Sequence, residues 1–209
     1  WDRAGPEDPV RLTVLQGADV NTVVVQPDGR LLGMNNDGAG YIQSLRDADP
    51  SWRGDAGPAL VLGAGGAARA IVVALLDEGV PELRITNRTM ERAQVLAEAF
   101  GDRVKVLPWS ERHEAMAGVS LLVNTTTLGM HGQPPLDVAL DALPLAAMVS
   151  DAIYIPMETP LLTLARLRGQ RTVNGLGMLI NQARPAFASW FGVLPDITPE
   201  LRAAIQATF

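Results

Sequence analysis

The sequence predicts an α/β fold in which a parallel sheet is wound by helices on both faces. Two observations carry this. From Ala59 onward, short apolar runs alternate with amphipathic helical stretches, and parallel strands need crossover connections that helices supply. The first of these runs, Ala59–Leu62, passes into three glycines within four residues, Gly63-Ala64-Gly65-Gly66, and then into a helical pattern.

The elements follow in order. Residues 1–13 are rich in Pro and charge and read as irregular. Val20–Gln26 and Leu31–Met34 are apolar runs around the turn signal Pro27-Asp28-Gly29, which predicts a β-hairpin. A helical stretch then runs to Asp47, and Ser51–Pro58 is a polar linker. Beyond it the expected strands are Ala59–Leu62, Leu83–Thr86, Val104–Leu107, Leu121–Asn124, Met148–Asp151 and Arg171–Val173. The expected helices are Ala67–Glu78, Met90–Phe100, Glu111–Ala117, Pro160–Arg168, Met178–Trp190 and Pro199–Thr208, with Thr89, Ser110 and Thr198 as N-caps.

Composition narrows the function. Apolar residues make up 47% of the 209 and charged residues 19%, as in ordinary water-soluble chains. The net charge of −6 disfavours nucleic acid and anionic membranes as partners. Without cysteine, thiolate metal sites and cysteine nucleophiles are excluded, and with only His113 and His131 no metal is expected. No apolar run reaches membrane-spanning length, and WDRAGPEDP has no signal-peptide pattern, so a cytoplasmic location is expected. The chain starts at Trp1 rather than Met and reads as a fragment.

The glycine cluster has GxGxxA spacing, ending at Ala67-Ala68. Between a strand and a helix this is the dinucleotide-binding pattern of a Rossmann-type sheet. Its backbone N–H groups and the positive helix end face a pyrophosphate. NAD enzymes place a carboxylate about 20 residues further on, for the ribose 2′-hydroxyl. Here that point reads Thr86-Asn87-Arg88-Thr89, with Arg92 one turn beyond. Two guanidiniums suit a 2′-phosphate, so NADP is the expected cofactor. The competing reading leaves both arginines on a solvated face, with Arg92 pairing Glu91 or Glu98.

These stretches resemble the shikimate dehydrogenase family. The likeness rests on GADVNTVV (17–24), NNDGAG (35–40), LGAGGAARA (62–70), TNRTMERA (86–93), NTTTLGM (124–130), DAIYIPMETPLL (151–162) and GLGMLINQARPAFASWFG (175–192), in family order over nearly the whole chain. The resemblance implies a Rossmann-type doubly wound sheet with a partial second, substrate domain. The units are then a substrate-domain remnant at 1–50, an NADP-binding domain at 51–175, and helices at 176–209 returning toward the substrate domain. It implies Asp37 as the catalytic carboxylate, and Asn21, Asp37, Tyr154 and Gln182 as ligands of a small polyhydroxy acid. It implies Gly63, Ala64, Gly65, Gly66 and Ala67 at the pyrophosphate, Asn87, Arg88, Thr89 and Arg92 at the adenosine phosphate, and Ala152 and Gly175 near the nicotinamide.

The implied reaction is NADPH-dependent reduction of 3-dehydroshikimate to shikimate, by a monomer or homodimer. The alternatives are a quinate- or aminoshikimate-type dehydrogenase and a truncated, non-catalytic NADP-binding module. Three departures stand out. GADVNT carries one residue more than the family's usual GAVNT, which implies a distorted loop before Asn21, and NND replaces the common NTD. The family's catalytic lysine and Ser-x-Ser carboxylate site have no match, and the one lysine, Lys105, lies elsewhere. The chain by itself is therefore expected to bind NADP and to turn shikimate over poorly.

Overall fold

The computed structural model describes residues 12–14 and 20–208. The loop before Asn21, expected to be distorted, lies at 17–19, outside the described residues. Within 1–13, the end is ordered: β1 (Leu12–Val14) is a strand and not irregular chain. It pairs in parallel with the second strand of the hairpin. That hairpin joins β2 (Thr22–Val25) to β3 (Leu31–Met34), and the three strands stand in the order β1-β3-β2. At its turn Asp28 accepts from the Arg30 backbone N–H at 3.1 Å and pairs with the Arg30 guanidinium at 2.6 Å.

The chain leaves the hairpin through α1 (Asp37–Ala48) and enters the main sheet at β4 (Ala59–Leu62). There follow α2 (Gly66–Asp77), β5 (Leu83–Thr86), α3 (Met90–Glu98), β6 (Val104–Leu107), β7 (Leu121–Asn124) and β8 (Met148–Asp151). Then come α4 (Pro160–Leu167), β9 (Thr172–Val173), α5 (Gly175–Phe191) and α6 (Pro199–Gln206). The sheet is parallel throughout, in the order β6-β5-β4-β7-β8-β9.

All four residues of β4, of β7 and of β8 are buried. Both faces of a wound parallel sheet are covered, so its central strands read as unbroken apolar runs. Alternation sorts them between two cores. Ala59 and Val61 pack with Ile71, Leu75 and Leu45 on one face. Leu60 and Leu62 pack with Met116, Leu140 and Leu161 on the other.

One expected helix does not form. Glu111–Ala117 is two short 3-10 turns, Trp109–Glu111 and Glu114–Met116, and Ser110 lies inside the first rather than capping a helix. The Arg84 guanidinium donates to the carbonyls of Ala115 and Ala117, at 2.7 Å each, and ties the end of this segment to β5. Thr89 stands at the start of α3 without a side-chain cap, whereas Thr198 accepts from Leu201 N at 3.2 Å. Helix α5 starts three residues before the expected Met178, because the Asn174 side chain accepts from Leu176 N at 3.2 Å and caps it.

Small residues let α1 sit close to two neighbours. A Cβ on Gly38 would lie 3.0 Å from the Ala70 carbonyl oxygen of α2, and one on Gly40 would lie 2.5 Å from the backbone nitrogen of Gln182 in α5. Further along, Asn181 donates to Asp47 at 2.9 Å. Near the end of α5, Trp190 Nε1 donates to Val23 O at 3.0 Å and ties this helix to the hairpin. Arg202 of α6 lines a cavity with Ser44 and Asp47, at the other end of α1.

The α1–α5 crossing is testable. Gly40→Ala should destabilise the fold by about 1–3 kcal/mol, the usual cost of forcing a methyl into packed backbone. A urea melt reads this as a lower midpoint, and an unchanged midpoint would show that the two helices can separate freely.

Candidate active site

The carboxyl ends of β4 and β7 lie side by side where the strand order reverses, the place where open α/β sheets take ligands. Gly63 follows β4 with φ +113°, a left-handed conformation that favours glycine. A Cβ there would also fall 2.4 Å from the Thr125 hydroxyl oxygen, and that hydroxyl donates to Leu62 O at 2.8 Å. Around Gly65 the situation is the opposite: a Cβ would meet nothing within 4 Å, so its backbone faces open space. Gly66 opens α2 with no side-chain cap and no acidic residue in the first turn. A helix end left bare in this way presents free N–H groups to an anion. Ala64 packs against the core, and Ala67 is half-buried beside it.

At the end of β5, Asn87 donates to Thr89 O at 2.7 Å and shapes the loop. Arg88 and Arg92 are exposed, and neither enters an ion pair among the described residues, with Glu91 and Glu98 included. Their charge stays available to a phosphate.

The end of β8 forms the next wall. Ala152 N donates to Asn124 O at 2.8 Å. Gly175 N donates to Ile153 O at 2.9 Å, and a Cβ on Gly175 would lie 2.0 Å from Ala152 O. The two residues are thus in direct backbone contact. Tyr154 is half-buried on the same loop.

On the side of the hairpin, Asn21 Nδ2 donates to Asp37 Oδ1 at 2.9 Å across 16 positions of sequence. Asn21 Oδ1 in turn accepts from Asn36 N at 3.1 Å, and Asp37 N donates to Asn35 Oδ1 at 2.9 Å. The carboxylate therefore has a fixed place at the head of α1. Gln182 packs its backbone on Gly40, one turn along, while its Nε2 donates to Leu179 O at 3.1 Å within α5. Lys105 lies apart from this group, on β6 at the edge of the sheet, where it pairs with Glu82. Among the described residues no group of three or more His, Cys, Asp or Glu could hold a metal. No helix there is long and apolar enough to cross a membrane.

Sequence reasoning passed over Asp151 as no more than a strand end. It is 1% exposed. Its Oδ1 accepts from Asn124 Nδ2 at 3.0 Å and from Ile153 N at 3.1 Å, and its Oδ2 accepts from Thr159 Oγ1 at 2.7 Å. Burial pushes its pKa up from 3.8 to about 6, against the pull of these donors. The signal in the sequence was a carboxylate closing an otherwise apolar strand, with a hydroxyl eight positions on.

A Rossmann-type sheet with an uncapped glycine turn and two free arginines defines a dinucleotide-binding domain of the oxidoreductase kind. Comparison with known proteins narrows this. Residues 54–129 match the family model for shikimate / quinate 5-dehydrogenase. The shikimate dehydrogenase (NADP(+)) of Rhodospirillum rubrum is 52% identical over 190 residues, covering 89% of this chain and 67% of the relative. That of Paramagnetospirillum magneticum is 52% identical over 186 residues, with the same coverage. Shikimate 5-dehydrogenase from Thermus thermophilus, solved in complex with NADP(H) and shikimate, aligns with a TM-score of 0.75 at 36% identity, over 90% of this chain and 67% of that one. Quinate dehydrogenase from Corynebacterium glutamicum, in complex with NAD, gives 0.82 at 30% identity, with the same coverage. The chain belongs to the shikimate dehydrogenase family and spans about two thirds of the length of these relatives.

The raised pKa of Asp151 has a definite sign. Between roughly pH 4 and 6 the folded chain keeps a proton that the unfolded chain has released. The contribution of this group to stability is complete below about pH 4 and is lost as pH rises through 6. Wild type should therefore lose stability relative to Asp151→Asn on going from pH 4 to 7, by on the order of 2–3 kcal/mol. Urea midpoints of both proteins at the two pH values measure it, and a constant difference between them contradicts it.

Proposed function

We propose that this chain is the NADP-binding part, with a portion of the substrate side, of a dehydrogenase that reduces the ring carbonyl of 3-dehydroshikimate to the hydroxyl of shikimate, and runs the reverse. The substrate-side observation that carries this reading is the Asn21–Asp37 pair, joined at 2.9 Å at the head of α1. We divide the chain accordingly: residues 1–50 contribute to the substrate side, 51–175 hold the cofactor, and 176–209 brace the two.

The residues fit the cofactor. The open backbone at Gly65 and the bare head of α2 suit a pyrophosphate, and the free Arg88 and Arg92 suit the 2′-phosphate that distinguishes NADP from NAD. Asn87 and Thr89 set the turn that presents those arginines. The touching backbones of Ala152 and Gly175 would line the nicotinamide half. The bound cofactor supplies the hydride.

The remaining work belongs to side chains. Asp37 accepts a hydrogen bond from the reacting hydroxyl and orients it, and Asn21 holds the carboxylate for that task. Tyr154 and Gln182 supply hydroxyl and amide partners to the other ring hydroxyls. Asp37 needs a proton-transfer partner, and Lys105, bound to Glu82 on the far edge strand, cannot serve. A quinate-type reading is favoured by the likeness to the Corynebacterium enzyme; the two free arginines weigh against the NAD that accompanies it.

Two outcomes are expected. Arg88→Ala should weaken NADP binding roughly ten- to a hundredfold, the worth of one charge-assisted contact, and leave NAD nearly unchanged. Calorimetric titration with both cofactors checks this, and equal loss would refute the assignment. The 209 residues produced alone should bind NADP yet oxidise shikimate far below an ordinary dehydrogenase rate of roughly 1–10³ per second. NADPH absorbance follows the reaction, and an ordinary rate would mean that the proton-transfer group lies within these residues.

A further inference from the structure

We propose that Asp151 is a positioning residue that builds the nicotinamide half of the cofactor site, acting through the loops it joins and not by touching the reactants. The inference rests on the reading of a cofactor site given above.

A carboxylate shut away from water is costly to keep. Among the described residues none of the contacts of Asp151 is to an arginine or lysine; its partners are an amide, a backbone N–H and a hydroxyl. These three donors come from three places. Asn124 ends β7, Ile153 lies in the loop after β8, and Thr159 is the N-cap of α4.

Each donor passes the constraint on. Asn124 Oδ1 accepts from Thr126 N at 3.0 Å and from Thr126 Oγ1 at 2.8 Å, and Thr126 Oγ1 accepts from Leu128 N at 3.1 Å. This folds the loop after β7, whose Thr125 abuts Gly63 of the phosphate turn. Thr159 gives its hydroxyl proton to Asp151, which leaves its lone pairs to cap α4 at Leu162 N, 3.4 Å away. Between Asp151 and Thr159 runs the segment that carries Ala152 and Tyr154, and Ala152 O is the surface on which Gly175 packs. One acceptor-only group thus pins both ends of the β8–α4 loop and the start of its neighbour. No neutral side chain of that size accepts all three bonds at once.

The arrangement separates the two halves of the cofactor. Arg88, on the loop after β5, and Arg92, in the first turn of α3, are outside this network. The test is calorimetric binding of NADP and of adenosine 2′,5′-bisphosphate, which carries the adenosine half alone. Asp151→Ala should weaken NADP roughly tenfold or more and leave the bisphosphate within about twofold of wild type. Thr159→Val should shift NADP in the same direction, and Thr159→Ser, which keeps the hydroxyl, should restore it; this pair carries the test if the alanine variant does not fold. Equal weakening of both ligands would reduce Asp151 to a stabilising residue and overturn the proposal. So would NADP affinity unchanged in the variants. Wild type that binds neither ligand would overturn the cofactor reading itself, whereas wild-type binding with insensitive variants sinks only this inference.

Discussion

The site depends on the parallel pairing of β4 with β7. Register sets Leu62 opposite Asn124, so the two loops that leave these strands emerge together. Without that neighbour, Gly63 would have no Thr125 pressed against it, and the glycine turn would lack its rear wall. The same pairing reaches outward on each side. Leu62 stands opposite Thr86 of β5, where the arginine loop starts, and Asn124 stands opposite Asp151 of β8. Four loops with different chemistry are brought level by one set of main-chain hydrogen bonds, and side chains only refine the result.

Polar contacts in this chain divide by burial. Pairs such as Arg53–Asp55 and Arg30–Asp28 lie on the surface, where water screens them and their worth is small. The contacts at the strand ends are few but enclosed. Asn124, Ser150, Asp151 and Thr159 are all nearly inaccessible, and a bond made there cannot be replaced by solvent. Order at the site therefore comes from a small number of interior bonds, while the ion pairs outside contribute mainly solubility.

The strands were legible because burial on both faces leaves a plain mark, a short apolar run between turn residues. β4, β5, β6, β7 and β8 have the bounds their sequence suggested. Glu111–Ala117 misled because its apolar spacing is helical, while the chain there makes two short 3-10 turns whose end is held to β5 by the Arg84 guanidinium. The head of α5 was obscured by Gly175 and Gly177, which look like helix breakers. Each is small because another chain segment lies against it, Ala152 in one case and Ser44 in the other. The glycine turn could be read from local spacing alone. The meeting of Asn21 with Asp37 could be read only through the family resemblance, since nothing local joins a hairpin strand to a helix start. Asp151 was not readable as a hub, because its three donors become neighbours only after the sheet has formed.

The three glycines of the turn differ in what they serve. At Gly63 both the backbone angle and the wall behind it reject any side chain. At Gly65 the polypeptide itself raises no objection to a methyl group. The first position is thus guarded by folding, and the second is not. If the turn holds a nucleotide as proposed, a side chain at residue 65 would meet that ligand before it met any part of the fold.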